Sequence, residues 1–244
     1  TFAMVLSIIP AAFDADTTSS GFVIGPYLLA PKTTSMVAVW ETSGSEPTTI
    51  RFGTDADTLG EAVTVERDPE APDYGGAQTN IFRYKFSDLT PGTRYYYEVA
   101  LADGEVSRGT FRTLEENPTE IRYISITDTH KFDTKSTFDA AVAAYDPAFI
   151  IHGGDMVEGT GTQKEQYAFW FNSGEFIHNY PVVYACGNHD FSDYFDMYVI
   201  DTQTEEYGSV VEGNISFDYG DVHFDLMDSN PWALFQMNAE TSGG

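Results

Sequence analysis

Three short polar segments in the second half of the chain contain residue types that bind metal ions. They are Asp128-Thr129-His130, Gly154-Asp155 and Gly187-Asn188-His189-Asp190. Imidazole, carboxylate and amide donors in this mixture suit Fe, Mn or Zn and do not suit a soft thiolate site. Two such ions, about 3.5–4 Å apart, would hold a phosphate group, lower the pKa of a bridging water and supply an in-line hydroxide. The residue types therefore indicate metal-assisted hydrolysis.

The donor atoms predict how the ligands divide between two ions. Asp128 and His130, two residues apart across a turn, can bind one ion through a carboxylate oxygen and an imidazole nitrogen. Asp155 has two oxygens and could bridge this ion to a second one. Asn188 offers a neutral amide oxygen to the second ion. The glycines before Asp155 and Asn188 permit tight turns that direct both side chains toward the ions.

Each of these polar segments follows an apolar stretch that predicts a β-strand, over 121–127, 147–151 and 181–185. Helical patterns cover 136–145 and 163–172, and the second carries a broad aromatic face. Because ligands in α/β sheets collect beyond the carboxyl ends of the strands, the three turns should converge. Singly, each segment has an ordinary alternative as a helix cap or a turn with local hydrogen bonds. All three together favour a metal site.

The chain before Asn117-Pro118 has a different pattern, that of an all-β domain. Short alternating stretches, separated by regular turn signals, predict a β-sandwich over 20–114. The segment Asp88-Leu89-Thr90-Pro91-Gly92-Thr93 is one such turn. The α/β domain is predicted over 119–244. Nothing in the sandwich has the residue types for chemistry, and its aromatic side chains are expected to form a core.

Residues 1–15 are interpreted as part of a signal peptide. Phe2–Phe13 is apolar and too short to span a bilayer. It is similar to the hydrophobic region and small-residue end of a leader that lacks its start. The alternative is a buried first strand or helix, which Pro10 and the polar run after it disfavour. A secreted or periplasmic protein is expected, with no membrane span.

The charge balance narrows the classes of partner. The chain of 244 residues has 38 acidic and 12 basic residues, a formal net charge of −26. This field repels the phosphate backbone, which argues against nucleic-acid binding and against docking on anionic lipid. The expected partner is a small phosphate-ester substrate. Cys186 is the single cysteine, so no internal disulfide can form, and we expect it to act as a small buried apolar residue.

The three segments, in this order, resemble the signature of the calcineurin-like metallophosphoesterases. The resemblance implies that Asp128 and His130 bind the first metal, Asp155 bridges, and Asn188 binds the second. It also implies that His189 acts on the substrate phosphate or leaving group. We expect Asp190 to orient His189 and stabilise its charge.

The predicted sandwich also carries a resemblance. The run Leu89-x-Pro91-Gly92-x-x-Tyr95-x-Tyr97-x-Val99 resembles the late strands of a fibronectin type III domain. Together with Gly25-Pro26-Tyr27-Leu28, it is similar to the sandwich ahead of the catalytic domain in purple acid phosphatases. The implied fold is a fibronectin III-like sandwich followed by an incomplete α/β metallophosphoesterase domain, in which a β-sandwich is flanked by helices.

Two departures from the purple acid phosphatases concern the metal shells. Those enzymes have a tyrosine three residues after the bridging aspartate, where this chain has Glu158, and Asp-x-Gly where this chain has Asp-x-His. The wider family also supplies a later histidine and a Gly-His-x-His motif, and no histidine follows His223 here. We therefore expect a truncated chain that is inactive alone, whereas its parent hydrolyses phosphate esters. The alternative is a non-catalytic secreted module for binding or adhesion, which the intact site residues disfavour.

The remaining histidines are expected to lie outside the ligand set. His152 follows an apolar strand, so a supporting or core role is favoured over ligation. His178 lies beside the aromatic helix and is interpreted as structural, and His223 lies within a predicted hairpin strand.

Overall fold

The computed structural model describes residues 21–69, 71, 73–74, 77–130, 132–158, 163–190, 193–209 and 213–229. The predicted leader at 1–15 lies outside the described residues. Within the described part, none of the helices is long and apolar enough to cross a membrane.

The first half of the chain forms two antiparallel sheets packed face to face. One sheet has the order β1-β2-β7 and the other β4-β3-β8-β9, with β5 and β6 paired separately. Large aromatic side chains, among them Trp40, Phe82 and Phe111, fill the space between the sheets. The sequence-predicted sandwich is confirmed. The strands are β1 (Phe22–Leu29), β2 (Met36–Thr42), β3 (Thr48–Gly53), β4 (Val63–Val65), β5 (Asp73–Tyr74), β6 (Ala77–Gln78), β7 (Asn80–Phe86), β8 (Arg94–Ala100) and β9 (Val106–Arg112).

Strand β2 is buried on both faces, which ties the sandwich to the second domain. Met36, Ala38 and Trp40 alternate toward the sandwich core. The intervening Val37 and Val39 belong to a second core that also contains residues of the α/β domain. The β1-β2-β7 sheet is therefore the shared layer between two hydrophobic cores.

The second half is built on a parallel sheet with the order β10-β11-β12. Ile126 pairs with His152, and His152 with Tyr184, so the carboxyl ends of all three strands lie level at one edge. An antiparallel hairpin, β13-β14, contributes to a third core around Phe149. The elements are β10 (Tyr123–Ile126), α1 (Lys135–Tyr145), β11 (Phe149–His152), α2 (Gln163–Phe171), α3 (Glu175–Asn179), β12 (Val182–Tyr184), α4 (Asp193–Phe195), a π-helical turn (Asp196–Ile200), α5 (Asp201–Tyr207), β13 (Ile215–Tyr219) and β14 (Val222–Leu226).

The aromatic face predicted for the second helix is correct only in part. Tyr167, Trp170 and Phe171 in α2 are buried, whereas Phe169 is 44% exposed. The four aromatic residues of α2 lie within the five positions 167–171. At 3.6 residues per turn they cannot all share one helix face, so one of them must point outward. Tyr167 points to the third strand-end loop, where its hydroxyl donates to the Asp190 carbonyl at 3.1 Å, and Trp170 Nε1 donates to the Tyr184 hydroxyl of β12 at 3.1 Å.

A buried carboxylate fixes how the two domains meet. Glu41 in β2 is 1% exposed, and its Oε1 lies 2.7 Å from the Lys164 ammonium in α2. The Tyr198 hydroxyl donates to its other oxygen at 2.7 Å, and the Tyr27 hydroxyl donates to the Tyr198 carbonyl at 2.6 Å. Because a buried charge is costly unless it is paired and hydrogen-bonded, this network favours a single relative placement of the domains.

Candidate metal centre

The first two strand-end loops bring three predicted ligands together. One ligand atom from each of Asp128, His130 and Asp155 lies within 4.8 Å of the others. Backbone hydrogen bonds join the two loops, since Asp128 N–H donates to the Gly154 carbonyl and His130 N–H to the Asp155 carbonyl, both at 3.0 Å. Two carboxylates and one imidazole form a donor set that suits Zn, Mn or Fe. The side chains present therefore fit a metal ion.

All three candidate ligands have left-handed backbone conformations. The φ angles are 55° at Asp128, 46° at His130 and 58° at Asp155. Such a conformation costs a non-glycine residue about 1–3 kcal/mol, although Asp and His tolerate it better than most. The loop hydrogen bonds hold the backbone in this conformation, which turns the three side chains toward one point.

Close packing of two glycines brings the third loop against the second. A Cβ on Gly154, whose φ is 105°, would lie 2.6 Å from the Gly187 Cα. A Cβ on Gly187 would lie 2.2 Å from both the backbone nitrogen and Oδ1 of Asp155. Only glycine permits this approach at both positions. The packing places Asp155 between its own loop and the one that carries Asn188 and His189.

Two imidazole rings are oriented by backbone carbonyls of the segment after Asp155. His130 Nδ1 lies 3.0 Å from the Val157 carbonyl, and His189 Nδ1 lies 2.7 Å from the Glu158 carbonyl. A carbonyl oxygen only accepts, so each Nδ1 carries a proton and each Nε2 is left for another partner. The two rings are perpendicular, with centroids 5.3 Å apart. His130 thus has the tautomer that a metal ligand needs.

The expected pairing of Asp190 with His189 is wrong, because the Asp190 carboxylate is bonded to backbone. Its Oδ2 accepts from Asp155 N–H at 2.7 Å and Gly187 N–H at 3.0 Å, and its Oδ1 accepts from Met156 N–H at 2.9 Å. Asp190 is fully buried. Burial raises its pKa to about 6, although the three amide donors favour the charged form and oppose this effect. Asp190 fastens the second loop to the third.

Asn188 lies in the third loop but is not shown to meet the other ligands. Its side chain is exposed. The next residue, His189, donates its backbone N–H to Asp155 Oδ1 at 3.0 Å, which puts this turn beside the predicted bridging carboxylate. The place of Asn188 as a ligand of a second ion therefore stays a prediction.

His152 supports the site from beneath, together with a residue that the sequence reasoning missed. The ring is fully buried, and Gly154 N–H donates to its Nδ1 at 3.2 Å. Its Nε2 therefore carries the proton and donates to Thr129 Oγ1 at 2.9 Å. Burial lowers the His152 pKa to about 3, so the ring is neutral. Thr129 lies between the predicted ligands Asp128 and His130, and this position in the sequence is what could have indicated that it supports the site.

The other candidates have structural surroundings. His178 is buried, with Nδ1 facing the Pro26 carbonyl across the domain boundary, and burial lowers its pKa. His223 is exposed, and its ring nitrogens lie near Asp218 and Asp225. The Cys186 thiol is partly buried, which raises its pKa and disfavours the thiolate.

Two family models match the chain. The model described as purple acid phosphatase, N-terminal domain, matches residues 26–113. The model described as calcineurin-like phosphoesterase matches residues 121–241, which include all the candidate site residues. Among curated proteins, no sequence matches this chain.

Solved structures share the fold at low sequence identity. "Structure of PhoD" aligns with a TM-score of 0.61 and 14% identity, over 87% of this chain and 53% of that one. A purple acid phosphatase, PPD1, from yellow lupin (Lupinus luteus) seeds aligns with a TM-score of 0.57 and 16% identity, over 90% of this chain and 48% of that one. The chain thus spans about half the length of each neighbour. The second domain thus belongs to the calcineurin-like phosphoesterases, and the domain ahead of it matches the N-terminal domain of the purple acid phosphatases.

Proposed function

We propose that the protein hydrolyses phosphate esters at a two-metal centre formed by the three strand-end loops. The observation that carries this proposal is the placement of ligand atoms from Asp128, His130 and Asp155 within 4.8 Å of one another. Membership of a phosphoesterase family supports the reaction class. When bound, the ions would supply Lewis-acid stabilisation of the phosphoryl oxygens and would lower the pKa of water.

The chain's own residues would serve either as metal ligands or as the group that transfers a proton. Asp128, His130 through Nε2 and Asp155 would hold the first ion. Asp155 and Asn188 would hold the second. His189 has its Nδ1–H bonded to the Glu158 carbonyl, which leaves Nε2 to contact the substrate phosphate or, when Nε2 also carries a proton, to protonate the leaving group. Fe, Mn and Zn all suit these donors.

Export is part of the same proposal. It is supported by the apolar stretch near the start of the sequence, which is similar to a signal peptide. A net charge of −26 suits a small phosphate ester reaching a metal-neutralised site better than a polyanionic nucleic acid.

Two substitutions separate metal binding from proton transfer. His189→Ala should lower kcat by about 10²–10⁴-fold and leave the affinity for the first ion unchanged, since His189 is not among its ligands. Asp155→Asn should lower both. The measurement pairs turnover of p-nitrophenyl phosphate and bis(p-nitrophenyl) phosphate with titration of Mn²⁺ or Zn²⁺. Because the chain spans about half the length of the solved neighbours, turnover is assayed on the full reading frame.

Exposed His223 provides the matched control, and His223→Ala should change neither quantity. If wild-type protein binds metal without turnover of either ester, the hydrolytic proposal is wrong. If it binds no metal, the non-catalytic binding module becomes the better interpretation.

A further inference from the structure

A small cavity lies at the edge of the parallel sheet opposite the metal centre. The metal-binding loops follow the carboxyl ends of β10, β11 and β12, whereas the cavity is lined by residues at their amino ends, among them Arg122, Pro147 and Pro181. Arg94 and Arg112, at the start of β8 and the end of β9, close it from the sandwich side. The cavity therefore lies on the boundary between the two domains, and its volume is about 50 Å³.

Three guanidinium groups at one cavity are unusual for this chain. Only 12 of its residues are basic, against 38 that are acidic, yet this cavity is lined by three arginines beside three carboxylates. The arginine side chains are 31%, 42% and 52% exposed for Arg94, Arg112 and Arg122 respectively. Each presents five N–H donors in a planar fork that matches an oxyanion.

Asp146 is the carboxylate between the arginines, and it holds them loosely. Its oxygens lie 3.7 Å from Arg94 and 3.5 Å from Arg112, whereas a charge-assisted hydrogen bond is about 2.7–2.9 Å long. Among the described residues, these are the ion pairs that Arg94 and Arg112 make. Both guanidinium groups therefore line the cavity without a short charge-assisted hydrogen bond to Asp146.

Arg122 is anchored differently. It donates to the Tyr145 carbonyl at 3.0 Å, which holds the guanidinium at the cavity wall. Its Nε lies 3.8 Å from a carboxylate oxygen of Glu120, whose side chain is 70% exposed and therefore well solvated. Glu115 and Glu120 also line the cavity, so any bound anion competes with carboxylates and the site should select a compact, highly charged ligand.

We propose that this cavity is a second, non-catalytic binding site for a small tetrahedral oxyanion, with inorganic phosphate and sulfate as the chemical class. The small volume of the cavity, about 50 Å³, suits a single such anion. Its oxygens would accept from arginines of both domains. The bound anion would thus join the sandwich to the catalytic domain at a point remote from the metal centre.

Equilibrium titration of inorganic phosphate and of sulfate into protein kept in EDTA tests the site, because chelation removes the metal centre from the measurement. Arg112→Gln should weaken binding of both anions about tenfold, as expected for loss of one charge-assisted hydrogen bond. Arg108→Gln is the matched control, since Arg108 lies on the same strand but pairs with Glu98 outside the cavity. It should leave the affinity unchanged.

Asp146→Asn gives a result of opposite sign. Asn suits the left-handed φ of 40° at this position, and the change removes the carboxylate that competes for Arg94 and Arg112. Anion affinity should rise several-fold. If Arg112→Gln does not fold, Arg122→Gln replaces it, with the same expected loss.

Three outcomes would overturn the inference: no saturable binding to wild-type protein, equal losses in Arg112→Gln and Arg108→Gln, or weaker binding in Asp146→Asn. The test is independent of the proposed hydrolysis. Asp155→Asn should leave anion affinity in EDTA unchanged, and an equal loss there would assign the anion to the metal loops instead.

Discussion

Replacement of Asp190 by alanine is expected to lower the free energy of unfolding by about 3–5 kcal/mol. The carboxylate accepts hydrogen bonds from three backbone N–H groups, of Asp155, Met156 and Gly187, at a fully buried position. Each buried donor left without a partner costs about 1–3 kcal/mol. The loss should also loosen Asp155 against the third loop and weaken metal binding about 10–100-fold, which is typical when a group that orients a ligand is removed.

Chemical denaturation measures the first effect and metal titration the second. Exposed Asp221, in the β13-β14 turn, is the control, and Asp221→Ala should change stability by less than about 0.5 kcal/mol. A variant with unchanged stability and metal affinity but reduced turnover would contradict this account. It would restore the interpretation of Asp190 as the residue that orients His189 during catalysis.

A Gly187→Ala substitution should damage the site with the smallest possible change in side chain. The added methyl would lie 2.2 Å from Asp155 N and Oδ1, closer than any real contact, so the third loop must move away from the second. Overpacking of this kind costs about 1–3 kcal/mol. Because the displaced group is a predicted bridging ligand, metal affinity should fall by at least tenfold, and turnover with it.

Gly44→Ala is the matched control, since nothing lies within 4 Å of the position where its Cβ would be. Metal titration and thermal unfolding of both variants measure the predicted losses of metal affinity and of stability. If Gly187→Ala binds metal as tightly as Gly44→Ala, the close glycine contact does not position Asp155, and the geometry derived for the centre is wrong.

The strand-end placement of the ligands was predictable because it follows from chain order and local pattern. Apolar stretches before Asp128, Asp155 and Asn188 predict parallel strands, and parallel strands end at one edge. The role of Asp190 was not predictable in this way. Its nearest chemical partner along the chain is His189, whereas its actual partners include Asp155 N–H, 35 residues away. Sequence adjacency says nothing about which buried amide groups a folded loop leaves without acceptors.

The helical segment after the third loop was also missed, for a reason of periodicity. Met197, Tyr198, Val199 and Ile200 are buried in succession within a π-helical turn. A continuous apolar run does not show the 3.6-residue pattern of an amphipathic helix, and a π-turn shifts the faces further. The helix that continues from this turn, α5, has a role near the site. Its Gln203 side chain accepts from Tyr184 N–H at 2.8 Å and donates to the Tyr184 carbonyl at 3.0 Å. Its side chain thus satisfies the outer edge of β12 where no further strand is paired with it in the described part of the chain.

The most direct test of the metal centre is anomalous diffraction at the zinc edge from crystals soaked in Zn²⁺. The account predicts a peak with His130 Nε2 and carboxylate oxygens of Asp128 and Asp155 about 2.0–2.2 Å away. The same peak should be lost in Asp155→Asn. A peak bound instead by surface groups such as His223 with Asp218, and none between the first two strand-end loops, would contradict it.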